Sequence, residues 1–182
     1  GAREAAQRAT SGPDNATIAD LVAQVEAWIV LAHVADRRRL RAEAVGALRV
    51  FGWHMPWRWR RHDDHLPADA QGRRGLILVH GFVCNRGIWN SWWQRLREVG
   101  VPCIALNLEP VFGRIDDYVP IVDDAVRRLR ETTGRAPLIV AHSMGGLAAR
   151  AWLGAAGAAQ RAHHVITIGT PHRGTWLARF GR

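Results

Sequence analysis

The sequence predicts an α/β fold: a mostly parallel sheet with helices on both faces, preceded by a helical N-terminal extension. Two observations carry that reading. From residue 75 onward, short apolar runs alternate with amphipathic stretches of about ten residues or more, the rhythm of βαβ units. The runs themselves are apolar throughout rather than alternating, as strands buried on both faces require. A third observation, the stretch "PLIVAHSMGGLAARAW" over residues 137–152, sets a serine where a strand would pass into a helix with no intervening loop.

Taken in order, residues 1–17 are small and polar and read as a frayed end. Residues 18–36 suit a helix, with Ile18, Leu21, Val22, Val25, Ile29, Ala32 and His33 near one face. Residues 39–51 suit a second, carried by Leu40, Ala44, Ala47, Leu48 and Phe51. "FGWHMPWRWRRHDDH" follows over residues 51–65, and "LPADAQGRRG" over 66–75 reads as a linker. The division expected is therefore an extension over 1–72 and an α/β block over 73–182. In that block "GLILVHG" is a first strand, halted by Gly81. A helix then places Ile88, Trp92, Leu96 and Val99 on one stripe and stops at Gly100. "VPCIALNL" is a second strand. "IDDYVPIVDDAVRRLRETTG" is a helix with Tyr118, Ile121, Val122, Ala125, Val126 and Leu129 inward, acids first and Arg last, as the helix dipole favours. "PLIVA" is a third strand, residues 144–156 a third helix, and "HHVITIG" a fourth strand.

Composition bounds the function. The chain has 182 residues and a formal net charge of +9, with every basic residue an Arg. Ten Arg against nine acids fall in residues 1–72, and fifteen against seven in 73–182, so the basicity belongs to the α/β block. No zinc-finger spacing, RRM signature or zipper heptad accompanies it, and nucleic acid is not expected as a partner. The two cysteines, Cys84 and Cys103, form no CxxC pair, and no metal or other cofactor is expected. "HDDH" at 62–65 fits no zinc pattern and reads as a solvated linker run. Residues 18–36 are too polar, through Asp20, Gln24 and Glu26, for a membrane span.

The serine turn carries the chemistry. At a tight strand-to-helix turn the apex residue takes strained backbone angles and projects clear of the sheet, and its neighbours two before and two after must be small. Ala141, Ser143 and Gly145 satisfy this, with Gly146 adding room. The apex also meets a helix N-terminus, whose free N–H groups stabilise negative charge. "AHSMGG" resembles the nucleophile elbow of the α/β-hydrolase family, in particular its bacterial lipase and esterase members, with Ala141 where the usual pattern has Gly. "LILVHGF" at 76–82 resembles the family's strand followed by His-Gly, and "ITIGTPHRGTW" at 166–176 its Gly-Thr-Pro-His segment. The resemblance covers residues 76–182 and implies a serine hydrolase of carboxylic esters acting through an acyl-enzyme. It implies Ser143 as nucleophile and the Phe82 and Met144 backbone N–H groups as oxyanion donors. It further implies His80, Gly81, His142, Thr170, Pro171 and His172 around the substrate, with a small-molecule or lipid ester as that substrate.

A serine nucleophile needs a base, normally a His oriented by a carboxylate, and the family order is Ser, then acid, then His. After Ser143 come 39 residues without Asp or Glu. The resemblance therefore implies an incomplete hydrolase domain, with the acid and His beyond residue 182. His142 points away from its neighbour at such an elbow, His80 supports the oxyanion turn, and His163 and His164 lie at a strand start; His172 is read as site wall before base. Two further readings stand beside ester hydrolysis: acyl transfer through the same intermediate, and a non-catalytic α/β module. Trp53, Trp57 and Trp59, interleaved with Arg58, Arg60 and Arg61, form a belt that either packs under the sheet or rests at a membrane surface. The compartment stays open between cytoplasm and membrane.

Overall fold

The computed structural model describes residues 57, 60, 62–155 and 157–174, all within a compact unit spanning Ala47–Arg182. The helices expected over 18–36 and 39–51, and Trp53 and Trp59, lie outside the described residues.

Four parallel strands form one sheet: β1 (Leu76–Val79), β2 (Cys103–Ala105), β3 (Leu138–His142) and β4 (His164–Ile168), in the order β2-β1-β3-β4. Each follows an apolar run expected to be a strand. Three helices connect them: α1 (Asn90–Glu98), α2 (Val119–Thr133) and α3 (Gly145–Leu153). The order dictates the layers. Parallel crossovers are right-handed, so the chain covers opposite faces when it runs in opposite directions across the sheet. The step from β1 to β2 runs one way; the steps from β2 over β1 to β3, and on to β4, run the other. Hence α1 covers one face, and α2 and α3 the other.

Burial agrees. Ile77 and Val79 of β1, Ile104 of β2 and Ile139 and Ala141 of β3 share one cluster with Val122, Val126 and Leu129 of α2 and Ala148, Ala149 and Trp152 of α3. Leu76, Leu78 and Val140, which alternate with these along their strands, are buried as well. Trp93 and Leu96 of α1 are buried outside that cluster. Gly134 ends α2 at φ 68°, the left-handed conformation that glycine tolerates.

Two expectations need correction. The inward stripe is Trp89 of the turn before α1 with Trp93 and Leu96 of α1 itself, while Val99 is 58% exposed. A 3-10 turn over Arg86–Trp89 precedes the helix and resets its phase, so of the adjacent Trp92 and Trp93 it is Trp93 that turns inward. The "HDDH" run is no solvated linker. His65 exchanges two backbone hydrogen bonds of 2.8 Å with Cys103, an antiparallel bridge that covers the outer edge of β2. Asp64 lies between Arg86 at 2.9 Å and Arg128 at 3.0 Å, and Arg86 also donates to the His62 carbonyl. Unpaired edge groups and a fork of two guanidinium ions recruit the run into the domain. Both cysteines are free, and burial pushes the Cys103 thiol up to about 12. No helix among the described residues is long and apolar enough to cross a membrane.

Candidate active site

In an open parallel sheet, a crevice forms outside the carboxyl ends of two adjacent strands whose connections leave toward opposite faces. Here those strands are β1 and β3, paired from Leu76↔Leu138 to Val79↔Ala141. The chain leaves β1 as His80-Gly81-Phe82 and leaves β3 as His142-Ser143-Met144. The topology alone therefore places the His-Gly turn beside the serine turn.

The contact is close. A Cβ added to Gly81 would stand 2.9 Å from Ser143 Cβ, and one on Gly145 would stand 2.3 Å from the His80 carbonyl oxygen. Only glycine fits at either position. Ser143 has φ 52°, a left-handed conformation rare for a residue with a side chain. Its surroundings hold it there: Ser143 N–H donates to the Ile168 carbonyl at 2.8 Å, and its carbonyl accepts from the Thr170 hydroxyl at 2.9 Å. Thr170 packs so tightly on α3 that a Cβ at Gly146 would come within 2.0 Å of its Oγ1. That contact explains a glycine for which the sequence offered only the argument of added room.

His80 is buried, and both ring nitrogens are engaged. Nε2 accepts the Leu108 N–H at 2.9 Å, which fixes it as the unprotonated nitrogen; Nδ1 therefore donates to the Gly81 carbonyl at 2.8 Å. Burial, with a smaller contribution from the neighbouring His142, lowers its pKa against the raising effect of the Gly81 bond, consistent with a neutral ring. His80 thus links the turn after β1 to the loop after β2 and has no nitrogen left to act as a base. Half-buried His142 is also lowered by burial, and its Nδ1, with no partner among the described residues, lies against Gly81. Exposed His172 has Nε2 at 3.2 Å from Thr167 Oγ1, its N–H bonded to the Thr170 carbonyl, and its own carbonyl bonded by Arg150. The Pro171 carbonyl accepts the Gly174 N–H and closes the turn. His163 and His164 stack edge-on at the start of β4, the end remote from Ser143.

Among the described residues, the backbone N–H groups of Phe82 and Met144 have no hydrogen-bond partner, and no imidazole bonds Ser143 Oγ. The predicted residues Gly81, Phe82, His142, Ser143, Met144 and Thr170 thus come together around one turn. His80 stands behind it and His172 at the rim.

Sequence reasoning missed two features. Val83, a β-branched residue, has φ 55°, strained backbone immediately after Phe82. A Gly or Asn would have signalled such a turn; a Val signals nothing. Of the six large hydrophobics exposed among the described residues, Phe82, Val83, Val111 and Phe112 lie on the two loops that His80 ties together, with Phe82 and Phe112 edge-on at 5.8 Å. Between these loops a cleft of about 280 Å³ is lined by His80, Val83, Cys84, Asn85, Asn107, Leu108, Glu109 and Val111.

The comparisons agree with this architecture. Among solved structures, a Bacillus licheniformis lipase in its mature form is similar, with a TM-score of 0.53 and 24% identity over 65% of this chain. An Aspergillus fumigatus lipase B is similar with a TM-score of 0.53 and 19% identity over 61% of this chain. The chain spans about half the length of the first, 49%, and 28% of the second. At such identities the likeness is one of fold. No curated protein matches the sequence. The model of the alpha/beta hydrolase family matches residues 76–182, more than half of the chain. The chain belongs to the alpha/beta hydrolase family.

Proposed function

We propose that this protein is a serine hydrolase of carboxylic esters, of the lipase and esterase type. One observation carries the reading: a strained serine at the crevice between β1 and β3, flanked by two backbone N–H groups with no partner among the described residues. The Ser143 hydroxyl attacks the ester carbonyl carbon. The carbonyl oxygen takes up negative charge and is held by the Phe82 and Met144 N–H groups; deleting one such donor costs about 3–4 kcal/mol of barrier. The alcohol leaves with a proton, and water then cleaves the acyl-serine, restoring the hydroxyl. The base is a His oriented by a carboxylate, neither of which is among the described residues around Ser143. No cofactor takes part.

The lipase fold of the neighbours and the apolar quartet beside the crevice support an ester with an apolar acyl group. Trp57, 74% exposed, supports a surface role for the Trp-Arg belt, in which the belt rests at a membrane and presents Ser143 to lipid-borne esters. The test is covalent labelling with a fluorophosphonate and turnover of p-nitrophenyl esters by the complete protein. Ser143→Ala abolishes both while leaving the circular dichroism spectrum unchanged. Labelling that survives the substitution places the nucleophile elsewhere.

A further inference from the structure

The peptide unit is rigid and trans, so its C=O and N–H point in opposite directions within one plane. Whatever holds the carbonyl aims the amide. The Phe82 N–H shares its plane with the Gly81 carbonyl, which is held by His80 Nδ1 at 2.8 Å. The Met144 N–H shares its plane with the Ser143 carbonyl, which is held at 2.9 Å by the Thr170 hydroxyl. That carbonyl also accepts the Gly146 N–H at 3.0 Å, but this second bond lies inside the serine turn and moves with it. Thr170 is different. It stands on the segment after β4, 27 residues away in sequence, and packs against α3 where Gly146 leaves space.

We propose that Thr170 is a positioning residue: through its hydrogen bond to the Ser143 carbonyl it aims the Met144 amide at the oxyanion. The inference rests on the proposed role of Ser143 and Met144, and it gives Thr170 a task other than lining the substrate. Together with the Ile168 carbonyl on the Ser143 N–H, it fixes both peptide groups of the strained residue to the end of β4.

The experiment compares Thr170→Val, which keeps the branched shape and removes the hydroxyl, with Thr170→Ser, which keeps the hydroxyl. Two readings are taken on the complete protein: the rate of fluorophosphonate labelling with the accompanying kcat and KM, and the chemical shift of the Met144 amide proton. The expected result is a loss of about tenfold or more in labelling rate and kcat for Thr170→Val. That is a fraction of the 10²–10³ that deleting a donor costs. KM stays near its original value, because the interaction strengthens only in the transition state. The Met144 resonance moves in Thr170→Val, and Thr170→Ser stays close to wild type in every reading. Equal losses in both variants assign the effect to packing and overturn the proposal, as does a Thr170→Val protein with unchanged labelling and an unmoved resonance. A wild-type protein that resists labelling defeats the hydrolase reading instead. The resonance then decides alone, upholding the positioning role if it moves in Thr170→Val only and overturning it otherwise.

Discussion

At the scale of single residues, the crevice is held by contacts that one atom can break. Gly146→Ala drives a methyl group to within 2.0 Å of Thr170 Oγ1, and the serine turn or the segment after β4 has to yield. The expected cost is about 1–3 kcal/mol, read as a fall in the unfolding midpoint. His80→Ala leaves the buried Leu108 N–H without its partner and the Gly81 carbonyl with only the longer bond from the Cys84 N–H at 3.3 Å, a loss of about 1–3 kcal/mol. His80 also titrates. Burial holds its folded pKa below the usual 6.5, so the folded state binds fewer protons than the unfolded state as the solution turns acid. The stability it contributes is fully present above about pH 6.5 and is lost as pH falls through the lowered value. His65, His142 and His163 shift in the same direction, so the acid slope of the wild type is shared. A shallower slope in His80→Ala, measured by thermal unfolding between neutral and mildly acid pH, isolates its part. An unchanged slope contradicts the neutral, doubly bonded ring. The small residues of the serine turn were legible in the sequence because sterics dictate them. The partner of Thr170 was not, since no local pattern states which carbonyl a hydroxyl 27 residues away will meet.

Among elements, periodicity sufficed wherever one stripe was unambiguous. Tyr118, Val122, Ala125, Val126 and Leu129 were expected to face inward and are buried, with Ile121 half-buried at the margin. In α1 Leu96 faces inward as expected, but Trp93 stands where Trp92 was expected, since adjacent tryptophans satisfy two phases equally and the turn before the helix chose between them. The segment over 62–65 was illegible for another reason. Its charges look solvated until Arg86 and Arg128, distant in sequence, are brought around Asp64. Asp64→Asn is expected to destabilise by about 1–2 kcal/mol, between the values for exposed pairs and for charge-assisted bonds. The difference from wild type should shrink in 1 M salt, where the Debye length is ~3 Å. Urea unfolding at two salt concentrations measures this, and a difference that does not change with salt assigns the loss to packing.

Across the whole molecule, the order β2-β1-β3-β4 places the crevice before any side chain is considered; the run-and-helix rhythm foretold a parallel sheet covered on both faces, but not the order of its strands. The base and acid that the proposed hydrolysis calls for were not legible, since residues 144–182 carry no carboxylate side chain. Since no imidazole bonds Ser143 Oγ among the described residues, a polypeptide of residues 1–182 is expected to turn over p-nitrophenyl esters at no more than a trace rate; brisk turnover would identify His172 as the base to test first. A membrane role for the Trp-Arg belt predicts that wild type co-sediments with anionic vesicles and that a Trp53, Trp57, Trp59→Ala variant does so less. Equal partitioning of the two removes that role. The grip of Ile168 and Thr170 on Ser143 has a consequence for how the protein is made. Synthesis runs from the N-terminus, so Ser143 is joined to the chain before the residues that enforce its left-handed conformation. Until residue 170 has been added and has folded back, the turn is free to relax to an unstrained backbone. On the proposed reading of Ser143 as nucleophile, the nascent chain is thus disarmed, and the serine is set only when β4 docks.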